Sequence, residues 1–243
     1  MFALNSSEWL QTPLGAYVVG WEQARIDALV ADIFGYNALQ LGLETEDLLH
    51  ANRMSFRLRS ARAGQVAVVA REEALPFASA SLDLIVLAHV LEFAPQPHQV
   101  LREAERVLVA EGHVVICGFN PYSLWGLTRR FLPRRGDWPH GQYLSALRVR
   151  DWLALLGFDV QSSQFGACVP AVNTPVWLAR WRWLDWLGRR WGSIAGAVYI
   201  IHGVKRVPGA RLILPNWREA RARAKNLSAV ARRDGQLGRT SGK

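Results

Sequence analysis

His89 and Glu92 stand three residues apart at the end of the apolar run LDLIVLAHV. On a helical turn that spacing puts both on one face. An imidazole beside a carboxylate is a pairing that can move a proton during a reaction. A histidine at a strand end also serves as a plain hydrogen-bonding group, and both readings stand. A second stretch, NALQLGLETEDLL from Asn37 to Leu49, starts as a buried strand and opens at Gly42 into the place of a nucleotide-binding turn. Glycine suits such turns because it permits positive φ and close backbone approach. Here Glu44 and Glu46 follow instead of further glycines. A left-handed glutamate costs about 1–2 kcal/mol, so this loop is expected to take another path.

The elements that must carry these residues alternate between helix and strand. TPLGAYVVGWEQARIDALVADIFGY reads as a long helix, capped by Thr12 with Pro13 in its first position. Its apolar stripe is read as Leu14, Tyr17, Trp21, Ala24 and Ala28, with Gly35 as the stop. Asn37 to Leu43 is a short buried strand. SFRLRS alternates like a strand, and GQVAVVA is a further one. LDLIVLAHV and GHVVICGF are continuous apolar runs, the pattern of strands covered on both faces. HQVLREAERVL is amphipathic, with Val100, Leu101, Ala104, Val107 and Leu108 on one face. His98 and Glu103 read as solvated positions there, and Asp83 as a structural residue at a strand start. LRVRDWLALLGF is a helix stopped by Gly157, FDVQSSQFG a strand, and AVYIIHGVKRV a final strand. Strand, helix, strand with apolar runs implies right-handed crossovers and an α/β, doubly wound, mainly parallel sheet.

The chain has 243 residues, half of them hydrophobic, enough for one domain with a sizeable core. Its two cysteines, Cys117 and Cys168, lie far apart in sequence. That fits a reducing, cytoplasmic setting without disulfides, and no clustered ligands suggest a metal site. MFALNSSEWLQ lacks a basic segment followed by an apolar run, so no signal peptide is expected. No stretch is long and apolar enough to be read as a transmembrane segment. The net charge is +9, and +6 of it falls in residues 216–243. That basic tail reads either as a solvated terminus or as a contact for RNA or anionic lipid. The segment PVWLARWRWLDWLGRRW reads as a helix. Trp177, Trp181, Leu184 and Trp191 form one stripe, while Trp183 and Trp186 lie on the other side among Arg182, Arg189 and Arg190. Such a helix packs on the sheet or offers an aromatic, basic surface.

The block EEALPFASASLDLIVLAHVLEFAPQPHQVLREAERVLVAEGHVVICGFN, Glu72 to Asn120, resembles the core of class I S-adenosylmethionine (SAM)-dependent methyltransferases of the type 11 methyltransferase domain family. ALPF, SLD, HVLEF, LREAERVL, EGHVVI and the closing FN match in order, and the likeness extends over residues 36–120. With WLQTPLG early and GFNPYSLWGL late, the chain also resembles a bacterial family of methyltransferase-like proteins. The resemblance implies a Rossmann-like, seven-stranded sheet with an antiparallel last strand. It implies transfer of the methyl group of SAM to an oxygen, nitrogen or carbon nucleophile, with a small-molecule acceptor expected. Gln40, Leu41, Gly42, Leu43 and Glu44 would border the methionine and ribose. Arg71, Glu72, Leu75, Pro76 and Phe77 would border the adenine. Ala88 and His89 would approach the sulfonium, with His89 as the candidate substrate contact or base. Tyr122 and Trp125 would lie on the acceptor side, where NPYS also reads as a turn with Ser123 as a cap. The expected organisation is an N-terminal helical segment (1–35), a methyltransferase-like domain (36–215, with an Arg/Trp-rich insertion and helices at 121–192) and the basic tail (216–243).

The chain departs from the family pattern at three cofactor contacts. Gln40 takes the acidic position that precedes the glycine loop, and Glu44 and Glu46 take its second and third glycines. Glu44 is placed to pair with the cofactor's ammonium group, to repel its carboxylate, or to stand in solvent. The acid that ends the second strand and binds the ribose has no counterpart in MSFRLRSARAG. The acid near the adenine amine aligns with Arg71, with Glu72 adjacent. These departures raise a second expectation: a non-catalytic protein of the same fold that binds RNA or an anionic membrane surface through its basic tail and Trp/Arg helix.

Overall fold

The computed structural model describes residues 9, 12–61, 67–126, 141–169, 180 and 196–207. All of them fall within one compact unit, Met1–Val207. Helix α1 (Pro13–Val30) starts as its sequence requires: the Thr12 hydroxyl accepts from the Gly15 N–H, and proline fills the first turn. It ends at Val30, five residues before Gly35, with Ala31 as its C-cap. Asn52 takes over the end, its amide donating to the carbonyls of Val30 and Ile33. The buried face is Leu14, Val18, Val19, Glu22, Ile26 and Val30. It lies about one position away from the expected stripe, and Ala24 and Ala28 are exposed. The reason is Glu22: a carboxylate on the core face disguises the helix phase.

Seven strands follow: β1 (Asn37–Leu41), β2 (Phe56–Ala61), β3 (Val68–Val69), β4 (Leu82–Ala88), β5 (Leu108–Phe119), β6 (Phe158–Gly166) and β7 (Val198–Lys205). They form one sheet in the order β3-β2-β1-β4-β5-β7-β6. β3 to β5 pair in parallel, while β7 runs antiparallel to both β5 and β6. Helix α2 (Pro97–Val107) connects β4 to β5, and α3 (Ala146–Leu155) precedes β6. Ser145 caps α3 by accepting from the Arg148 N–H, and Gly157, at φ +82°, turns the chain into β6. The β1–β2 connection packs Leu48, Leu49 and Met54 against the same sheet face as α1. The opposite face carries Val100, Leu101, Ala104 and Val107 of α2 with Val149 and Leu153 of α3. β1 and β4 are apolar nearly throughout because helices or loops cover both their faces.

Strand order reverses between β1 and β4: β2 and β3 lie to one side, β5, β7 and β6 to the other. In open sheets of this kind the ligand crevice forms beyond the carboxyl ends of the strands at that reversal. The residues there are Leu41–Leu43 and Ala88–His89.

Candidate functional site

The two strand ends touch. Gly42 has φ +80°, and a Cβ on it would stand 2.1 Å from the Ala88 carbonyl oxygen. Only a glycine lets the chain leave β1 at this point. Leu43, at φ +47°, continues the left-handed turn, whereas Glu44 and Glu46 keep negative φ. The loop thus avoids a left-handed glutamate by bending one residue earlier. The buried Gln40 side chain holds the bend. Its amide nitrogen donates to the carbonyls of Gly42 (3.1 Å), Leu43 (3.2 Å) and Glu46 (2.8 Å), and its oxygen accepts from the Leu48 N–H (2.9 Å). Gln40 therefore turns into the loop, and its substitution for an acid has a local reason: a carboxylate cannot donate to three carbonyls. Glu44 is exposed. Partial burial and the nearby charge of Glu72 push its carboxyl up from the ordinary range. The loop after β1 and the turn after β3 thus face each other.

That second turn, Arg71–Ala80, is clamped from below. Glu103 accepts from the Leu75 N–H at 2.8 Å. Arg106 donates to the carbonyls of Leu75 and Phe77, to the Ser79 hydroxyl and to Glu103. The hydrogen bond from Arg106, helped by the Leu75 N–H, holds the Glu103 carboxyl below its ordinary range despite burial. Glu103 is therefore no solvated position, contrary to its amphipathic reading. One turn of α2 physically ties ALPF to LREAERVL. Leu75 is buried and Phe77 half-buried against the core, while Arg71 and Pro76 are exposed. His98 is exposed, and its ring meets Trp152 at 3.7 Å between centroids. Asp83 accepts from the N–H groups of Tyr36 and Asn37, fixing the start of β1.

At the end of β4 the structure brings together three charged groups that adjacent sequence does not. His89 has φ +55° and is almost wholly buried. Its Nε2 lies 2.9 Å from Glu22 Oε1 and its Nδ1 3.4 Å from Glu92 Oε1. Glu92 Oε1 also accepts from the Phe119 N–H. Gly118 makes room for this carboxylate: a Cβ there would stand 2.6 Å from the Tyr199 hydroxyl and 3.1 Å from Glu92 Oε1. Burial pulls the imidazole pKa down, but the charges and hydrogen bonds of Glu22 and Glu92 together outweigh it and raise it to about 10. His89 is thus an imidazolium at neutral pH, with each ring nitrogen facing a carboxylate. It has no lone pair to act as a base. Its ring lies tilted against Phe119 at 4.3 Å between centroids, and Phe119 stacks on Tyr143 at 5.0 Å.

The two aromatic candidates after β5 separate. Tyr122 is exposed. Trp125 is buried among Trp9, Leu14, Val18, Phe119 and Val198, and its indole N–H donates to the Val169 carbonyl. Trp125 is thereby placed in packing, not on a pocket wall. Glu22 was not singled out from the sequence, and its only signal there is a carboxylate standing on a helix face that is otherwise apolar. The Trp-rich segment 175–191, expected to be helical, lies outside the described residues apart from Arg180, as does the tail at 216–243. Among the described residues no helix is long and apolar enough to cross a membrane, and no group of three or more His, Cys, Asp or Glu is placed to hold a metal ion.

Comparison with known proteins agrees with this geometry. The family model for the methyltransferase domain matches residues 36–116. The uncharacterized protein YafS of Escherichia coli is 35% identical over 156 residues, 63% of this chain and 65% of that protein. An uncharacterized protein of Methanocaldococcus jannaschii is 31% identical over 99 residues, 40% of this chain and 48% of its own length. The chain thus spans about half to two thirds of the length of these relatives. Among solved structures, a SAM-dependent methyltransferase from Thermotoga maritima superposes with a TM-score of 0.58 at 15% identity, covering 84% of this chain and 97% of the other. One from Archaeoglobus fulgidus gives 0.55 at 17% identity, covering 75% and 92%. Residues 36–116, from the start of β1 to the middle of β5, thus match the methyltransferase-domain model, and the seven-stranded sheet shares the fold of these solved SAM-dependent methyltransferases.

Proposed function

We propose that this chain is a methyltransferase that binds SAM at the β1/β4 crevice and transfers its methyl group to a small nucleophilic acceptor. The observation that carries this reading is Gly42. Its left-handed backbone lies against the Ala88 carbonyl, and Glu44 is turned to the exposed rim instead of into the strand ends. That geometry keeps the bulky side chain of Glu44 out of the switch-point crevice, as a cofactor there requires. When bound, SAM supplies an electrophilic methyl group on a sulfonium.

The chain's own residues divide the work. The backbone of Leu41, Gly42 and Leu43 would border the methionine and ribose. Leu75, Pro76 and Phe77, held by Glu103 and Arg106, would form an apolar wall for the adenine, with Arg71 and Glu72 at its rim. Ala88 and His89 would form the floor near the sulfonium. Methyl transfer is an in-line displacement, and positioning contributes most of the rate. With His89 already protonated, an acceptor that arrives protonated must lose its proton elsewhere. Tyr122, exposed after β5, stands as a candidate acceptor contact.

Isothermal titration of the full chain with SAM and with S-adenosylhomocysteine tests the reading. Saturable one-to-one binding is expected for both ligands. Absence of binding at millimolar concentration would overturn it and favour a non-catalytic role for the fold.

A further inference from the structure

The buried charges at the end of β4 do not balance. Glu22, His89 and Glu92 are two carboxylates around one imidazolium, and their side chains are 0%, 7% and 1% exposed. Glu22 Oε2 and Glu92 Oε2 are both buried and accept no hydrogen bond among the described residues. The other polar groups packed nearby, the Cys117 thiol of β5 and the Tyr199 hydroxyl of β7, are held neutral by burial and by these same carboxylates. A buried carboxylate oxygen without a partner carries a desolvation cost that a simple structural tie would avoid. His89 further adopts a left-handed backbone, a conformation that persists in a non-glycine residue only where its surroundings over-determine it. Strain and uncompensated charge coincide at one strand end, and that end is the floor of the crevice where strand order reverses.

We propose that Glu22, His89 and Glu92 together form a fixed single negative charge beneath the crevice, which makes the protein prefer a cationic sulfonium ligand over its neutral thioether counterpart. The inference rests on the reading of the crevice as a SAM site and adds to it a role for α1, which lies N-terminal to the matched domain. The product of methyl transfer has lost the positive charge on sulfur, so the same field that holds SAM releases S-adenosylhomocysteine. Glu22 and Glu92 act here through space, as specificity-determining residues.

The test is a set of affinity ratios read by calorimetry. Wild-type protein is expected to bind SAM more tightly than S-adenosylhomocysteine. It is also expected to prefer sinefungin, whose amine puts a cation in place of the sulfonium, over the same thioether. Glu22→Gln and Glu92→Gln each remove one negative charge with little change of shape. Each should narrow the SAM preference by roughly five- to twentyfold, equivalent to about 1–2 kcal/mol for one charge removed. The loss should fall on SAM, with the thioether nearly unaffected. A variant that merely loosens the fold would weaken both ligands by the same factor, and that result overturns the proposal. So does a wild type with no preference for either cationic ligand, a measurement that needs no variant to fold. Failure of the wild type to bind any of the three ligands overturns the SAM reading and this inference together. Binding of all three with equal affinity overturns the inference alone.

Discussion

Replacing Gly42 by alanine asks whether the ends of β1 and β4 must touch. The added Cβ would lie 2.1 Å from the Ala88 carbonyl oxygen and 3.0 Å from Val90 Cγ2. A carbon and an oxygen in contact sit at about 3.2 Å, so the strand ends must part by about 1 Å. The obstructing atom is backbone in the last residue of β4, beside a histidine that is itself held on both sides, so it cannot swing away. Overpacking with a backbone shift costs about 1–3 kcal/mol, and alanine in the left-handed region adds about 1–2 kcal/mol. The sum, about 2–5 kcal/mol, corresponds to a fall in Tm of roughly 4–20 °C for a unit of this size. Thermal unfolding and SAM titration on the same preparation read both consequences, and SAM binding should weaken with stability. Leu43→Gly is the control, because it relieves the strain at φ +47°. That gain is offset by the added chain entropy, so stability should stay within about 1 kcal/mol of wild type. A Gly42→Ala protein that melts within about 2 °C of wild type would refute the contact and the crevice built on it.

Two further outcomes follow from the same geometry. Arg106→Ala removes the donors to Leu75 and Phe77 and should lower stability by about 1–2 kcal/mol. It should also speed hydrogen exchange at the Leu75 amide, and unchanged protection there would show that the clamp is idle. The pH dependence of unfolding should be two-sided. His89 is raised to about 10 in the fold, so its contribution is fully present below its ordinary value of 6.5 and is lost as pH climbs through about 10. His113 and His202 share a 2.9 Å contact at the far end of the sheet, and burial lowers both. Arg206 depresses His113 further, against Glu111 and Asp83, and His113 depresses His202. The unfolded chain takes up those protons more readily, so stability is lost as pH falls below 6.5. Denaturant midpoints should pass through a maximum near pH 6.5 and fall away on both sides, and a midpoint flat from acid to pH 10 would contradict both assignments.

Most of the fold was legible in the sequence because its central strands are buried on both faces and its first helix carries a strong cap. The runs LDLIVLA and VVICGF have no alternative to a central position. Thr12-Pro13 marks the start of α1 by chemistry that tertiary contacts do not override, whereas the cap at Ser145 emerges only from the structure. Edges were less legible. Among the described residues of GQVAVVA, Val68–Val69 join the sheet at its margin. β5 begins at Leu108, directly after α2, because Glu111 accepts φ +62° and lets the chain run on through a bend. Residues 44–54 show no periodicity because side chains of distant elements hold them. Arg57 donates to the carbonyls of Leu49, His50 and Asn52, doing what helix hydrogen bonds would otherwise do.

The candidate site was legible where backbone conformation sets it and obscure where charge does. Gly42 announces a close approach, and the structure gives the distance. The substitution of Gln40 for an acid, by contrast, is explained only by the three carbonyls around its amide. The pairing of His89 with Glu92 follows from their spacing, but its chemical meaning depends on Glu22, sixty-seven residues earlier. Two charged neighbours on one turn suggest a base. A third charge from α1 reverses that inference, because an imidazole held between two carboxylates keeps its proton through neutral pH. The same carboxylate that displaced the apparent phase of α1 is therefore the one that decides what His89 is able to do. A polar residue on a helix face that is otherwise apolar is, in this chain, a pointer to the opposite charge waiting beneath it.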